Sequence, residues 1–214
     1  DEAGCMLEAN DLGAVNLVNG QDFVAGPHLN IYNEATLATY NRYGMKRWVP
    51  PLEGSRALIE SLHKSKPEDV ETEVFVFGKI PLAFSARCFT ARHYDLNKDD
   101  CQFKCLDHSE GLTLKTREGQ EFLTINGIQT MSAQSYNLLH EIPDMLTMGI
   151  DIIRISPQKQ QLSQIISAFD AARCGQTVNV DSSAWSASGL VDGYWFGDAG
   201  IVQHHSQALT QLGA

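Results

Sequence analysis

The sequence lacks the features that mark membrane and secreted proteins. No run of residues approaches the eighteen or so consecutive apolar positions that a membrane-spanning helix needs. The first residues, Asp1 to Cys5, do not form the basic stretch followed by an apolar stretch that is typical of a secretory signal. An initiator methionine is also missing, and Met6 to Ala9 already reads as the start of a helix. We therefore expect a fragment of a longer protein, without a membrane span.

Basic residues are scarce. The chain has 16 Lys and Arg against 26 Asp and Glu, which gives a formal net charge of −10 at pH 7. A field of that sign repels the phosphates of nucleic acids and the anionic surface of a membrane. Nucleic acid and membranes are therefore expected to be poor partners of this chain.

The signatures of several enzyme classes are missing as well. No Gly-x-Gly-x-x-Gly motif follows a predicted strand, which argues against a dinucleotide site. Neither a His-Glu-x-x-His zinc motif nor a convincing Ser-His-Asp or Cys-His arrangement is present, so no activated nucleophile is predicted. Peptidase activity is therefore not expected.

What the sequence does contain is an alternation of short apolar runs and amphipathic stretches, which predicts repeated βα units and a largely parallel sheet. The length of 214 residues suits one domain with a sizeable core. Four strands are too few for a closed eight-stranded barrel but suit part of one. We predict a single α/β domain over residues 1–214, forming a partial (β/α) TIM-like barrel, with an open doubly wound sheet as the alternative. The four predicted strands are Asp22–Gly26, Lys46–Val49, Glu73–Gly78 and Ile150–Ile155.

Two segments interrupt the βα pattern. A polar, cysteine-bearing loop occupies about residues 85–110 and shows little periodicity of either kind. A β-hairpin is predicted over about residues 111–126, because two apolar runs flank Arg117-Glu118-Gly119-Gln120. Near the other end of the chain, His204-His205 is expected to belong to a solvated tail.

Three cysteines of the loop have the spacing C-x12-C-x3-C: Cys88, Cys101 and Cys105. Five cysteines without a secretion signal do not predict a disulfide framework. Thiolates bind soft metals, and zinc and iron–sulfur clusters each take four ligands. The trio therefore predicts metal binding, with ordinary free thiols as the alternative. His93 or His108 would complete a Cys3His zinc site.

Polar residues at the ends of the predicted strands are candidates for a substrate pocket. His28 and Asn30 follow a strand, and Asn126, Gln129 and Arg154 lie at or just after other strand ends. In a barrel, the carboxyl ends of the strands face the active site. These side chains are therefore expected to line a pocket, with loop capping as the alternative.

The segment from Glu73 to Cys88 resembles the signature of the collagenase-like peptidase superfamily, in which a Glu-x-Phe-x-x-Gly strand leads into two cysteines seven positions apart. Here Cys88 stands at the second cysteine, Pro81 takes the place of the first, and Ala86 replaces a usual glycine. This departure points to the UbiV-like branch of the superfamily.

That branch shares a long run with this sequence, from Leu82 to Arg92, and it has the same C-x12-C-x3-C arrangement. Its Asn-Gly-Ile-Gln-Thr-Met-Ser block stands here as Asn126 to Ser132. Shorter matches include Glu8 to Gly13 near the start and Arg154 to Pro157 downstream. The similarity covers essentially the whole chain.

The resemblance implies a [4Fe–4S] cluster held by Cys88, Cys101, Cys105 and a fourth cysteine in a preceding part of the barrel that this sequence does not contain. The cluster is expected to be labile or absent in such a fragment, and zinc is the alternative metal. Arg87 and Arg92 bracket Cys88, where they would clamp a dicarboxylate or bond to cluster sulfurs. Charge balance for the neighbouring aspartates is the alternative.

The resemblance further implies a function. The protein would be the iron–sulfur subunit of an oxygen-independent hydroxylase in anaerobic ubiquinone biosynthesis, located in the bacterial cytoplasm. Its implied partners are a UbiU-like protein in a heterodimer, a ubiquinone precursor, and prephenate as the oxygen donor. The alternatives are a non-catalytic, metal-stabilised scaffold and a relative that hydroxylates RNA, against which the net charge counts.

Overall fold

The computed structural model of the protein describes residues 5–18 and 20–205. It is a mixed α/β structure, as predicted. The strands are β1 Leu7–Ala9, β2 Phe23–Ala25, β3 Met45–Trp48, β4 Glu71–Phe84, β5 Leu112–Lys115, β6 Glu121–Asn126, β7 Gln129–Asn137, β8 Ile152–Ile155 and β9 Leu190–Val191. The helices are α1 Leu12–Leu17, α2 Glu34–Arg42, α3 Arg56–Ser65, α4 Phe89–His93, α5 Ile142–Met148 and α6 Leu162–Arg173. No helix within the described ranges combines the length and the apolar character needed to cross a bilayer.

The chain divides into two compact units, and β4 contributes to both. The first unit comprises the described residues of Asp1–Val76, His140–Arg154 and Asp192–Ala214. The second comprises Phe77–Leu139 and Ile155–Val191.

The first unit is built on a parallel sheet in the order β1-β2-β3-β4, with β8 also paired to β4. Side chains from one face of this sheet and from the helices that connect its strands form the core: Ala9, Val15, Phe23, Ala25, Leu37, Tyr40, Met45, Trp48 and Leu62. The helices α1, α2 and α3 each begin at a short polar side chain that accepts a backbone N–H, which satisfies one donor of the first turn. Asp11 does so for α1, Asn33 for α2 and Ser55 for α3.

The start of the chain differs from the prediction. Residues near Met6 were expected to begin a helix, whereas Leu7–Ala9 forms β1, which pairs in parallel with β2. The helix α1 begins only at Leu12, after the cap at Asp11. A strand of three residues is too short to show the period-two pattern that would have distinguished it from the start of a helix.

The end of the described chain also differs from the prediction. The backbone N–H groups of Asp192 and Gly193 both donate to the Val202 carbonyl at 3.0 Å, and Asp192 accepts the backbone N–H of His204 at 2.7 Å. This part of the chain is therefore packed, and the expectation of a solvated tail at His204-His205 is wrong.

The second unit is built on an antiparallel sheet. The second half of β4 pairs with β7, β7 with β6, and β6 with β5, while β9 adds to β7 in parallel. The strands β5 and β6 lie where the hairpin was predicted. Gly127, with φ of 60°, occupies the first position of the tight connection from β6 to β7, a place that suits glycine. The cysteine-bearing segment joins β4 to β5 and contains α4 and two 3-10 turns, Lys98–Asp100 and Lys104–Asp107.

Candidate functional site

The three cysteines of the predicted metal site lie on this one segment of the second unit. Cys88 caps α4, and its sulfur accepts the backbone N–H of Ala91 at 3.4 Å. Cys101 ends the first 3-10 turn, and Cys105 lies in the second. All three are partly buried free thiols. The chemistry of the donor set therefore fits a soft metal such as iron or zinc.

The three cysteines have suitable chemistry for a metal site, but they are not arranged around a common metal position. Across the residues that the structure describes, no group of three or more His, Cys, Asp or Glu side chains is placed to hold a metal ion. The trio thus shares a segment without surrounding one point. Gln102 and Phe103, between the second and third cysteines, have φ of 51° and 50°. Such left-handed conformations cost about 1–2 kcal/mol each in residues other than glycine, and they concentrate at functional loops.

The entry to the cysteine segment is fastened to the turn between β6 and β7. The backbone N–H of Ser85 donates to the Ile128 carbonyl at 2.8 Å, and that of Phe89 to the Gly127 carbonyl at 2.7 Å. In return, the Gly127 N–H donates to the hydroxyl of Thr90, which is fully buried, at 2.9 Å. The start of α4, directly after Cys88, is therefore held by the sheet.

The exit of the segment is fastened by two side chains. The amide of Asn126 donates to the His108 carbonyl at 3.1 Å. The ammonium of Lys79 donates to the Glu110 carbonyl at 2.8 Å and to the Thr124 hydroxyl at 3.3 Å, and burial lowers the pKa of Lys79. Asn126, which was predicted to line a pocket, thus contacts the exit of the cysteine segment. Its amide oxygen is buried and has no hydrogen-bond partner among the described residues.

The middle of the segment is closed by a contact between Tyr94 and His108. The Tyr94 hydroxyl lies 2.5 Å from Nε2 of His108, and the two rings stack with centroids 5.7 Å apart. The ammonium of Lys104 lies 5.9 Å from the centre of the Tyr94 ring. This contact spans the loop that contains Cys101 and Cys105, and it occupies one ring nitrogen of the histidine that was considered as a zinc ligand.

The structure assigns the other predicted site residues to two places. Arg87 and Arg92 are exposed and flank Cys88, and Gln129 opens β7 opposite Phe84. These three share the second unit with the cysteines. The remaining three belong to the first unit: His28, Asn30 and Arg154. His28 is half-buried in the 3-10 turn after β2, and Asn30 ends that turn, exposed, with φ of 55°.

Arg154 belongs to a row of alternating charges on the sheet of the first unit, which we call the charged ladder. The ladder runs in the order Glu8, Arg154, Glu73, Arg47 and Glu71. The four ion-pair contacts along it measure 2.5, 2.5, 3.2 and 2.8 Å in that order. The side chain of Glu73 is the most buried member, at 8% exposed, and it contacts both arginines.

Pairing within the ladder shifts the pKa values of Glu8 and Arg154. Burial acts against the charged form of Glu8, but hydrogen bonds from Arg154 and Asn10 outweigh it and lower the pKa of Glu8. Burial likewise opposes the charge of Arg154, and its hydrogen bonds to Glu8 and Glu73 raise its pKa in spite of that. Glu8 and Arg154 are therefore both held in their charged forms at neutral pH.

Sequence reasoning missed most of the ladder. Glu73 had been quoted only as part of a motif, and Glu8, Arg47 and Glu71 were not singled out. The available signal was that Arg47, Glu73 and Arg154 are charged residues inside predicted strands, where buried positions are expected to be apolar. The pairing itself joins residues up to 146 positions apart and has no local signature.

Comparison with known proteins gives a family. The model of peptidase family U32 matches residues 3–174. The chain is also 24% identical over 152 residues to tRNA hydroxylation protein P1 of Bacillus subtilis (strain 168), an alignment that covers 67% of this chain and 35% of that protein. The chain thus spans about a third of the length of that relative. No solved structure matches.

Proposed function

The chain belongs to peptidase family U32, and from that membership we propose that it is part of an oxygen-independent hydroxylase that carries a thiolate-bound iron–sulfur cluster. The observation that carries the proposal is the placement of Cys88, Cys101 and Cys105 on one segment that the sheet holds at both ends. The name of the relative, a tRNA hydroxylation protein, supports hydroxylation rather than proteolysis. Peptidase chemistry has less support, because no histidine is hydrogen-bonded to any of these three described thiols.

In this proposal the three thiolates hold a [4Fe–4S] cluster together with a fourth ligand from outside this chain. The cluster, when bound, supplies the electron transfer that hydroxylation without oxygen requires. The protein contributes the fixed ends of the segment, the Tyr94–His108 contact and the partly buried thiols. Because the three sulfurs do not surround one point, binding of the cluster has to order the turns around Cys101 and Cys105, which is the coupling of metal binding to folding.

For the substrate, the first candidate is a ubiquinone precursor, with prephenate as the oxygen donor and a UbiU-like protein as the partner in a heterodimer in the bacterial cytoplasm. The support is the long UbiV-like run from Leu82 to Arg92 and the block from Asn126 to Ser132. The two stretches contact each other, because the Gly127 N–H donates to the Thr90 hydroxyl.

A second candidate substrate is RNA, because the negative charge of the chain is not spread evenly over the two units. The first unit contains 17 Asp and Glu and 7 Lys and Arg, whereas the second contains nine of each. The whole net charge of −10 therefore belongs to the first unit. The cysteine-bearing unit has no net charge, so long-range repulsion does not exclude contact with phosphates there.

For the architecture, we propose that the parallel sheet of the first unit is part of a (β/α) barrel. Its strands follow the order β1-β2-β3-β4, and helices connect consecutive strands, as in a barrel. A non-catalytic scaffold stabilised by zinc is the rival to the redox function.

The test is metal analysis after anaerobic purification of this chain and of a longer form that contains the preceding residues. We expect about four iron and four sulfide per longer chain, with the visible absorption of a cluster, and loss of both when Cys88, Cys101 or Cys105 is replaced by alanine. Cys174→Ala, at an exposed cysteine outside the segment, is the matched control. Zinc without iron, or no metal in the longer form, would sink the redox proposal.

The substrate is then decided in cells. A strain that lacks the protein is grown without oxygen, and its ubiquinone and its modified tRNA nucleosides are measured by mass spectrometry. Loss of ubiquinone supports the first candidate, and loss of a hydroxylated nucleoside supports the second. Restoration by the wild type but not by Cys105→Ala ties either result to the cysteine segment.

A further inference from the structure

The Tyr94 ring lies where three parts of the cysteine segment meet. Cys88 caps the start of α4 and Tyr94 caps its end, where the Tyr94 N–H donates to the carbonyls of Thr90 and Ala91 at 3.3 and 3.2 Å. Tyr94 is 40% exposed, so its ring lies at the surface of the unit. The contacts of this ring are therefore made within the cysteine segment and not with the core.

The helix α4 is the fixed part of the segment. Thr90 is fully buried and accepts the Gly127 N–H at 2.9 Å, and Ala91 is 3% exposed. The Ala91 N–H donates to the Cys88 sulfur at 3.4 Å, which holds the first thiol against the helix. Because this short helix joins Cys88 to Tyr94, the backbone of Tyr94 has a set position relative to the first cysteine.

The second 3-10 turn reaches the Tyr94 ring through the two residues that flank its cysteine at both sides, Lys104 and His108. The Lys104 ammonium lies over the ring, 5.9 Å from its centre. The His108 ring stacks on it with 23° between the planes, and Nε2 of His108 lies 2.5 Å from the Tyr94 hydroxyl. A tyrosine supplies both kinds of contact, because it combines an aromatic face that attracts cations with a polar group at its end.

Main-chain hydrogen bonds connect these two residues to the remaining cysteines. The backbone N–H of Lys104 donates to the Cys101 carbonyl at 3.2 Å, and that of His108 donates to the Cys105 carbonyl at 3.3 Å. Each residue of the turn that contacts the ring is thus bonded to one cysteine. Through α4, Lys104 and His108, the Tyr94 ring is linked to all three cysteines of the segment.

Both histidines that were considered as zinc ligands also contact this ring. His93 meets it edge-on, with centroids 5.0 Å apart and 82° between the planes, and His108 stacks on it as described above. In this arrangement the two imidazoles pack against Tyr94. The thiolates are then the donors that remain for a soft metal.

We propose that Tyr94 is a positioning residue that gathers the three cysteines of the segment for a soft metal. It acts through Lys104 and His108, which hold the second 3-10 turn against α4 before a metal arrives. Metal binding has to order the turns, so contacts that already restrain them reduce the conformational entropy lost on binding. The inference rests on the proposed function, since that function makes the three cysteines metal ligands.

The test uses arsenite as the probe, because it needs three thiols and no fourth ligand. Arsenous acid condenses with three thiols to give three arsenic–sulfur bonds and three waters, without a change of oxidation state. The full 214-residue chain is reduced, freed of metal and titrated with arsenite without oxygen, and the thiols that remain reactive are then counted. We expect one arsenite per chain, which leaves only Cys5 and Cys174 of the five thiols reactive.

Two variants of Tyr94 separate the ring from the hydroxyl. Tyr94→Leu loses both and is expected to weaken arsenite binding about tenfold. Tyr94→Phe keeps the ring and is expected to weaken it about threefold. Tyr43→Leu is the matched control and is expected to bind as the wild type does, because Tyr43 also caps the end of a helix, α2, and is 46% exposed, but lies outside the segment.

A double variant shows whether Tyr94 acts through its partner. His108→Leu breaks the same contact from the other side, so Tyr94→Leu with His108→Leu is expected to lose about as much affinity for arsenite as Tyr94→Leu alone. A general loss of stability would not produce this coupling. Urea unfolding of the metal-free variants checks that each of them is folded under the conditions of the titration.

Three results would overturn the inference. They are a wild-type chain that takes up no arsenite through the three cysteines, a Tyr94→Leu variant that binds as tightly as the wild type, and losses that add in the double variant. The iron analysis of the longer form is a separate measurement. A longer form without iron removes the redox proposal, whereas arsenite binding that depends on Tyr94 would still assign this ring its positioning role.

Discussion

Replacing Glu73 by glutamine is the sharpest test of the charged ladder. The change keeps the size of the side chain and removes its charge at the centre of the row. Arg47 and Arg154 then lose the carboxylate that they share, and the glutamine amide brings an N–H group towards one of the two guanidiniums. We expect a loss of stability that is larger than for any other carboxylate of the ladder.

The magnitude follows from burial. Breaking a fully buried ion pair costs about 3–5 kcal/mol, and an exposed pair contributes about 0–1 kcal/mol. The Glu73 side chain is 8% exposed, but its two arginines are 25% and 29% exposed, so water screens part of the interaction. Arg47 also keeps Glu71, and Arg154 keeps Glu8. We therefore expect the free energy of unfolding to fall by about 2 kcal/mol.

The assay is urea unfolding at pH 7, followed by both far- and near-ultraviolet circular dichroism. Coincident transitions justify a single free energy, and 2 kcal/mol corresponds to a midpoint lowered by about 1 M urea. Glu71→Gln is the control, because Glu71 contacts the same Arg47 but is 47% exposed, and its cost should stay below about 0.5 kcal/mol. Equal losses for the two variants would refute the argument that burial makes Glu73 central.

Three further predictions concern other parts of the molecule. Burial lowers the pKa of His63, so the folded state opposes protonation of this ring. The free energy of unfolding is therefore unaffected by His63 above about pH 6.5 and falls as the pH drops below that value. His63→Gln should flatten this fall between about pH 6.5 and pH 5. Asn126→Ala should lower the melting temperature by about 3 °C and loosen the exit of the cysteine segment, seen as faster hydrogen exchange there and contradicted by unchanged exchange. Gly78→Ala should lower the free energy of unfolding by about 3 kcal/mol, because φ is 122° and the new Cβ would lie 2.5 Å from the Ser156 side chain. Gly119→Ala is the control, since Gly119 also has a positive φ but lies in open space. It should cost about 1 kcal/mol in the same urea assay.

The strands that the sequence predicted are the ones with continuous apolar runs. The prediction for residues 22–26 matches β2, that for 46–49 overlaps β3, and that for 150–155 contains β8. The strand β7, Gln129–Asn137, was missed because its residues are mostly polar and small, so it contains no continuous apolar run. The helix α5 that follows begins at Ile142, with Pro143 in its first turn, where a missing N–H costs nothing.

For the candidate sites, spacing located the cysteines on one segment but not the contacts that hold it. The C-x12-C-x3-C pattern is local, so the sequence displays it directly. The Tyr94–His108 contact and the hydrogen bond from Asn126 depend on how α4 and the hairpin pack, and nothing in their immediate sequence indicates it. Arg154 was selected because it stands at a strand end. Its partners Glu8 and Glu73 emerge only once β1, β4 and β8 are in place.

The way in which the cysteine segment is fastened has a consequence for how such proteins diversify. At its entry, two hydrogen bonds run from the main-chain N–H groups of Ser85 and Phe89 to carbonyls of the β6–β7 turn, and of the segment's side chains only the Thr90 hydroxyl adds a third. At its exit, the side chains of Asn126 and Lys79 on the sheet donate only to backbone carbonyl oxygens of the segment. Apart from Thr90, the side chains between these points are therefore not part of these hydrogen bonds. The segment is an exchangeable module, and a different set of ligands can be grafted between the same two joints without altering the strands that carry it.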